Sequence, residues 1–156
     1  MIVQSVVTVD GTVTLFVPEL NEHYHSIHGA RQESLHVFIK AGLEEIFTSK
    51  NRISIFELGF GTGLNAFLTY LFADKNHCEI EYCSVEKFPL EKEITDKLNY
   101  AEEKQIEIFE KLHQSGWNKK EIISDVFSIE KIKGSVEEIN FGERKYGSTY
   151  VQAREK

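Results

Sequence analysis

A glycine-rich stretch in the first half of the chain constrains the fold more than any other feature. The run Ile53-Ser54-Ile55-Phe56-Glu57-Leu58 is β-branched and aromatic, as is typical of a buried strand. It leads into Gly59, Gly61 and Gly63, which alternate with larger residues. Alternate glycines allow positive φ angles and let a ligand approach the backbone, because no Cβ intervenes. Residues 66–72 then have the apolarity of a helix packed on a sheet. A strand, a glycine turn and a helix N-terminus together predict a site for a nucleotide-like ligand.

Three kinds of glycine loop compete for this stretch. A phosphate-binding P-loop requires Gly-Lys-Ser or Gly-Lys-Thr after the loop, and neither follows here. The dinucleotide-binding pattern requires a small residue at the position of Leu64. What remains is an acid, Glu57, followed by alternate glycines, and this pattern resembles the first motif of class I S-adenosylmethionine-dependent methyltransferases. Glu86 supports that resemblance, because it ends the next candidate strand ~20 residues past the glycine turn, where an acid can accept hydrogen bonds from a ribose diol.

Composition limits the classes of protein to which the chain can belong. Its 156 residues suffice for one domain with a core, and its net charge at pH 7 is −7. An acidic chain binds nucleic acid poorly without a local basic patch, since non-specific affinity comes from cations that neutralise phosphates. No apolar run is long enough to span a membrane and no signal pattern opens the chain, so we predict a cytoplasmic protein without a membrane partner. Two cysteines and scattered histidines predict neither a disulfide framework nor a metal site.

The order of the elements predicts an α/β fold with a Rossmann-like parallel sheet. The chain opens with a predicted β-hairpin from Val3 to Val17 that turns at Asp10-Gly11. The His- and Tyr-rich segment at residues 19–34 is either a pocket wall or a plain loop. A helical region begins at Glu33, with a break or kink expected at Gly42. After the Glu86 strand we expect helices from Pro89 to about Leu98 and from about Glu102 to His113, a third parallel strand over Glu121 to Phe127, and a short helix at residues 135–139.

We expect two structured units and a tail. Residues 1–50 form an N-terminal hairpin and helical extension, residues 51–142 form the cofactor-binding Rossmann-like half, and residues 143–156 form a polar, flexible tail. The strands that normally flank the glycine-loop strand on its other side are not recognisable. That strand would then be a bare apolar edge, which favours self-association. We therefore expect the sheet to be incomplete towards the C-terminus.

The chain also resembles one family beyond the general methyltransferase motif. The matching segments are Thr8 to Thr12, Leu20 to Ser26, Gly29 to Ser34, His36 to Ile39, Glu57 to Asn65 and Glu86 to Leu90, together with Trp117. They are similar to the methyltransferases that finish 5-methylaminomethyl-2-thiouridine at the tRNA wobble position. These form the methyltransferase half of the bifunctional MnmC protein and also occur alone. The combination of Tyr-x-Ser-x-x-Gly-x-x-x-Glu with Gly-Phe-Gly-Thr-Gly-Leu-Asn makes the resemblance specific.

The resemblance implies S-adenosylmethionine as cofactor, tRNA as partner and methyl transfer to the 5-aminomethyl group of wobble uridine; the family is also associated with an oxidoreductase activity. Its sheet continues with a strand ending in Asp-Ala-Phe-x-Pro, whose aspartate is thought to be catalytic. Here that place reads Tyr150-Val151-Gln152-Ala153-Arg154, so no catalytic residue is assigned. We interpret the chain as a truncated or frame-disrupted member of the family. The alternatives are a catalytically inactive remnant that binds S-adenosylmethionine, or a small-molecule methyltransferase on the same scaffold.

Candidate cofactor-binding residues follow from this resemblance: Glu57, Gly59, Phe60, Gly61, Gly63, Asn65, Glu86 and Asp125. The glycines are expected to contact the methionine part of the donor, and Glu86 the ribose hydroxyls. Glu57 either orients the loop or contacts the donor's ammonium. Asn65 either caps the helix or contacts the ligand. Asp125 follows the third predicted strand, where such enzymes often bind the adenine amine, but a solvated turn acid is an equal interpretation.

Tyr24 and Glu33 are the candidate substrate residues, because they belong to the family's N-terminal segment. The alternative for both is simple hydrogen bonding that fixes this segment to the core. Trp117 is expected to pack rather than to stack on a base.

Overall fold

In the computed structural model, which describes residues 1–47, 52–139 and 152–154, two β-sheets organise the chain. The first sheet is antiparallel and consists of β1 (Gln4–Val7), β2 (Val13–Val17) and β3 (Glu22–His23). The second contains β4 (Arg52–Leu58), β5 (Glu79–Glu86), β6 (Lys119–Ser124), β7 (Phe127–Lys133) and β8 (Gln152–Arg154), in the order β6-β7-β5-β4-β8. Every pairing in this sheet is parallel except that of β6 with β7. The α/β fold with a mostly parallel sheet is therefore confirmed.

The helices fill the connections between these strands. They are α1 (Ala30–Ser34), a π-helix (Leu35–Leu43), α2 (Glu44–Phe47), α3 (Leu64–Asn76), α4 (Lys92–Thr95), α5 (Ile106–Gln114), and 3-10 turns at Glu103–Gln105 and Val136–Glu138. The helix predicted from Pro89 to Leu98 is only the single turn α4, whereas the next two predicted helical segments are confirmed. Of the break or kink predicted at Gly42, the break was wrong, because the helical chain runs through this residue as a π-helix. A glycine there costs only about 1 kcal/mol relative to alanine, and burial of Phe38, Ile39 and Leu43 in the same segment outweighs it.

The hairpin turn caps α1 from a distant part of the chain. The first three helical amides, of residues 30–32, donate to side-chain oxygens of Thr8 at 3.4 Å, Thr12 at 3.3 Å and Asp10 at 3.2 Å. These amides have no partner within the helix, so external acceptors stabilise it. A Cβ on Gly29, the residue before α1, would lie 2.5 Å from Asp10 Oδ2. We call Thr8, Asp10, Thr12 and Gly29 the hairpin–helix cluster.

A second connection of the N-terminal sheet to the rest of the fold is the short segment Asn99-Tyr100. Asn99 accepts from the amide of Val13 at 2.8 Å and donates to the carbonyl of Gly11 at 2.9 Å. The Tyr100 hydroxyl donates to the Val13 carbonyl at 2.6 Å, and Arg31 donates to the Tyr100 carbonyl, also at 2.6 Å. The π-helix shares one core with α3 and the sheet. The proposed division at residue 50 stays a prediction. Among the described residues, no helix is both long enough and apolar enough to cross a bilayer.

The third predicted strand, Glu121 to Phe127, is in fact two strands. The chain turns at residues 125–126, so β6 runs antiparallel to β7, and β7 is the strand that pairs in parallel with β5. The prediction was wrong because the apolar run Ile122-Ile123 continues through a turn without glycine or proline to Val126-Phe127.

The predicted bare edge of β4 is occupied at its carboxyl end. Phe56, Glu57 and Leu58 pair in parallel with β8. Residues 152–154 of the expected tail form β8, and the remainder of residues 143–156 lies outside the described residues, so the flexible tail stays a prediction. Self-association stays a prediction, and its physical reason is weaker where β8 pairs with β4.

Candidate functional site

The glycine loop lies at the carboxyl end of β4. Gly59, Gly61 and Gly63 have φ angles of 91°, 52° and 73°, all in the left-handed region that favours glycine. The loop amides are hydrogen bonded: Gly59 donates to the Val85 carbonyl and Gly63 to the Phe60 carbonyl, each at 2.8 Å. The loop therefore has one defined conformation, and this conformation depends on its glycines.

Glu86 lies beside this loop at the end of β5. Leu58 pairs with Val85, which brings Glu86 level with the first glycine of the loop. One carboxylate oxygen of Glu86 accepts from the Gly61 amide at 3.0 Å, and the other accepts from the Phe88 amide at 2.8 Å. The sequence predicted this acid to be near the glycine loop, and the structure brings the two together.

A cavity of about 220 Å³ opens between the glycine loop and the N-terminal sheet. It is lined by Met1, Val17, Leu20, Glu22, His23, Tyr24, Gly59, Gly61, Glu86 and Phe88. The His- and Tyr-rich segment thus forms part of a pocket wall, with Tyr24 in it. Glu33 does not line this cavity: its carboxylate accepts from the Ser26 amide, which is the segment-fixing alternative to a substrate contact.

A buried polar network lies behind the loop. The fully buried carboxylate of Glu57 accepts from the side-chain amide nitrogen of Asn65 at 3.2 Å and from the Ser84 hydroxyl at 2.9 Å. Asn65 does not cap α3, whose N-cap is Gly63. Its side-chain oxygen is buried and has no hydrogen-bond partner among the described residues. Since buried polar atoms are nearly always hydrogen bonded, this oxygen marks an acceptor that a ligand donor could use.

Phe60 points away from the cavity into the core. Its ring lies 5.5 Å from that of His113 and 6.2 Å from that of Trp117, and the Lys131 ammonium lies 5.0 Å from its centroid. Any contact of Phe60 with a cofactor would therefore be made by its backbone, and the packing role expected for Trp117 is confirmed. We call Phe60, His113, Trp117 and Lys131 the subloop cluster.

Two ionisable groups of the subloop cluster have strongly altered pKa values. Burial lowers the pKa of the Lys131 ammonium to about 8, against the opposing effect of the Glu121 charge. Burial also lowers the pKa of His113 to about 4, with the positive charge of Lys131 as the next cause. At neutral pH His113 is therefore an uncharged imidazole, and its Nε2–H donates to the Thr62 carbonyl at 3.0 Å.

This chain was compared with family models, curated proteins and solved structures. No family model matches the chain. The curated proteins of Burkholderia mallei and Burkholderia pseudomallei called tRNA 5-methylaminomethyl-2-thiouridine biosynthesis bifunctional protein MnmC are each 42% identical over 88 residues, which are 54% of this chain. The crystal structure of MnmC2 from Aquifex aeolicus superimposes with a TM-score of 0.67 and 27% identity over 88% of this chain. This chain is therefore similar to the MnmC proteins over part of its length. It spans 13% of the length of the curated MnmC relatives and 45% of the MnmC2 chain.

In this MnmC-like sheet, Asp125 lies at the wrong end for the predicted adenine contact. It is exposed in the turn between β6 and β7. Phe127, just after that turn, pairs with Ile80 at the start of β5, whereas Glu86 pairs with Lys133 at the other end. The prediction for Asp125 was wrong because it assumed that Glu121 to Phe127 was a single parallel strand, and the solvated turn acid was the correct alternative.

Sequence reasoning missed the residues that do follow β7 on the side of the glycine loop. The Gly134 amide donates to the Glu86 carbonyl at 2.9 Å, and Ser135 and Glu138 form a capping box on the next 3-10 turn. The signal was present as the alternation of Phe127, Ile129 and Lys131 followed by Gly134-Ser135, but a lysine at an inward position obscured it.

Proposed function

We propose that this chain is an S-adenosylmethionine-dependent methyltransferase that acts on the 5-aminomethyl group of wobble uridine in tRNA. The observation that carries the proposal is the cavity between the glycine loop with Glu86 on one side and His23 and Tyr24 on the other. The names of the MnmC relatives support the reaction class and tRNA as partner.

The residues around the loop fit this methyl donor. Glu86 presents a carboxylate to the cavity at the position suited to ribose hydroxyls. Gly59 and Gly61 offer backbone without a Cβ at the same wall. The donor carries an ammonium and a sulfonium, and the Glu86 carboxylate at the cavity wall makes this side of the fold favourable to cations.

Individual roles follow from these positions. Gly59, Gly61 and Gly63 hold the methionine part, and Glu86 holds the ribose. Glu57 orients the loop through Asn65. The unpaired side-chain oxygen of Asn65 accepts a hydrogen bond from the ligand. These remain proposals, as does the placement of Tyr24 on the substrate side of the cavity.

The chemistry requires orientation and a neutral amine. S-adenosylmethionine supplies a methyl group on a sulfonium, which is already a strong electrophile. The protein must then hold the amine in line and close to it. An alkylammonium has a pKa of about 10, so the attacking nitrogen has to lose a proton to a nearby group such as a carboxylate. No catalytic residue is assigned to that step.

Binding of tRNA needs more than the net charge of this chain offers. With a net charge of −7 at pH 7, the chain repels a polyanion. A local basic surface or a second polypeptide therefore has to supply the phosphate contacts. A cytoplasmic location follows from a tRNA substrate and is part of the proposal.

Calorimetric titration with S-adenosylmethionine tests the donor site. We expect micromolar binding by the wild-type chain, and a loss of at least about a hundredfold in Gly61→Ala, equivalent to roughly 3 kcal/mol. Gly11→Ala is the matched control, because Gly11 also has a positive φ, of 82°, but lies in the hairpin turn. Equal losses in both variants, or no binding by a folded wild-type chain, would overturn the donor site.

Methyl transfer is tested separately, with a labelled methyl donor and tRNA that carries 5-aminomethyl-2-thiouridine. Incorporation into this tRNA, and not into tRNA that lacks the aminomethyl group, is the expected result. Donor binding without transfer would leave the inactive remnant as the answer. Methylation of isolated amines but not of tRNA would favour the small-molecule methyltransferase.

A further inference from the structure

We propose that Lys131 is a positioning residue for the glycine loop, acting from beneath it through Phe60. The inference rests on the proposed donor site for its consequence, but its geometry stands on the subloop cluster alone. Lys131 lies on β7 and is 1% exposed. Its neighbours on the same face of the strand, Phe127 and Ile129, are core residues.

The ammonium of Lys131 joins elements that are far apart in sequence. It donates to the carbonyls of Leu112 at 3.0 Å and His113 at 2.8 Å, at the C-terminal end of α5. The same ammonium lies over the rings of Phe60 and Trp117, at 5.0 and 4.8 Å from their centroids. Cation–π attraction is stronger when the cation is desolvated, as it is here.

Phe60 transmits this contact to the loop backbone. Its carbonyl accepts from the Gly63 amide at 2.8 Å, so the residue closes the turn that carries the middle glycine. A Cβ on Gly63 would lie 2.9 Å from the Phe60 ring and 3.0 Å from His113 Nε2, which shows how closely the loop rests on this cluster. A shift of the Phe60 ring therefore moves the backbone that lines the cavity.

A methionine at position 131 would fill the same space without the cost of burying a charge. Replacing a buried charge by an apolar residue of similar volume is often neutral or stabilising. Burial of the Lys131 charge must therefore be offset by the contacts of its ammonium. These contacts stabilise either the C-terminal end of α5 alone or that end and the glycine loop together.

The variants Lys131→Met and Ser115→Ala separate these two roles. The Ser115 hydroxyl donates to the Leu112 carbonyl at 2.7 Å, so it serves the same helix end. The described hydrogen bonds of Ser115, to the carbonyls of Leu112 and Lys111, stay within α5 and do not reach the glycine loop. A role in α5 alone predicts similar behaviour in the two variants, and a role in the loop predicts a difference.

The first readout needs no ligand. The amides of Gly59, Gly61 and Gly63 are all hydrogen bonded, so their hydrogen exchange reports local opening of the loop. We expect exchange at residues 59–63 to be about tenfold faster in Lys131→Met and unchanged in Ser115→Ala, a difference of roughly 1.4 kcal/mol. Wild-type exchange rates in Lys131→Met, or equal acceleration in both variants, would overturn the inference. If Lys131→Met fails to fold, Phe60→Leu removes the ring and leaves the α5 contacts, and the same acceleration is expected.

The second readout is the dissociation constant for S-adenosylmethionine together with the fluorescence of Trp117, the single tryptophan of the chain. We expect the constant to rise about tenfold in Lys131→Met, and the donor-induced change in emission to fall by at least about half, following the lost ring contact. Ser115→Ala should behave as wild type in both. An unaltered constant and emission response would overturn the inference. A wild-type chain that does not bind the donor would overturn the proposed function instead, and the exchange comparison would still decide the role of Lys131.

Discussion

The hairpin turn at residues 8–12 and the glycine loop are both held by residues that are distant in sequence. The hairpin–helix cluster uses hydroxyls and a carboxylate, which accept from the amides at the start of α1. The subloop cluster uses aromatic rings, a neutral imidazole and a buried ammonium. Asp10 is exposed, whereas Lys131 is almost fully buried.

The pKa values show what this difference means. Burial opposes ionisation of Asp10, but hydrogen bonds from Thr12 and Thr8 outweigh it and lower its pKa to about 2. In the subloop cluster burial prevails, and the pKa values of Lys131 and His113 fall because their charged forms are disfavoured. The hairpin–helix cluster therefore stabilises the charged form of Asp10, whereas the subloop cluster disfavours the charged forms of Lys131 and His113. This comparison predicts which cluster fails first as the pH falls.

The largest expected effect is acid destabilisation through His113. Its folded pKa of about 4 lies below the ordinary 6.5, so between these values the unfolded chain binds a proton that the folded chain does not. The stability it contributes is present above pH 6.5 and is lost as the pH falls to 4, by up to about 3 kcal/mol. Urea unfolding at a series of pH values measures this loss.

The variant His113→Gln isolates this contribution, because glutamine can still donate to the Thr62 carbonyl but does not titrate. Its stability should vary less between pH 6.5 and 4 than that of the wild type. His36→Gln is the control, since His36 is exposed on the π-helix. A wild-type slope in His113→Gln would show that other groups cause the acid loss.

The glycine-loop side of the fold was predictable because its signals are local. A β-branched run, alternate glycines and a following acid at the end of the next strand specify β4, the loop and β5 without reference to the rest of the chain. The hairpin around Asp10-Gly11 was predictable for the same reason, since the turn residues themselves determine it.

The errors arose where tertiary contacts decide. The turn at residues 125–126 contains Asp125 but neither glycine nor proline, and its two strands are separated only by their pairing with each other and with β5. A lysine in the core of β7 contradicts the expected apolar alternation, because its ammonium is satisfied by carbonyls from α5. The pairing of β8 with β4 depends on the open hydrogen-bonding edge of β4, a buried strand. The residue types at positions 152–154 do not themselves predict this pairing.

The hairpin–helix cluster offers the next largest effect, in Gly29→Ala. The added Cβ would lie 2.5 Å from Asp10 Oδ2 and 2.7 Å from its Cγ, so the carboxylate must move away from the amides it holds. We expect a loss of about 2 kcal/mol in unfolding free energy by urea titration at pH 7. The same substitution in an Asp10→Ala background should cost much less, since the contacts with Oδ2 and Cγ are gone and only the 3.1 Å contact with the Cβ of residue 10 remains. Equal costs in both backgrounds would mean that Asp10 and Gly29 do not interact as the structure has them.

The smallest effect is expected from Asp10→Asn, which removes the charge and one of the two acceptor oxygens. The asparagine oxygen can still accept from the Thr12 amide, but its side-chain nitrogen cannot accept from the Gln32 amide, so that hydrogen bond is lost together with the charge. We expect the unfolding free energy at pH 7 to fall by only about 1 kcal/mol, because Asp10 is exposed and solvent screens its charge. A carboxyl with a pKa lowered from 3.8 to about 2 stabilises the fold above pH 3.8 and ceases to do so as the pH falls to 2. The wild type and Asp10→Asn should therefore converge in stability over that range, whereas a constant difference down to pH 2 would show that the ionised carboxylate is not its cause.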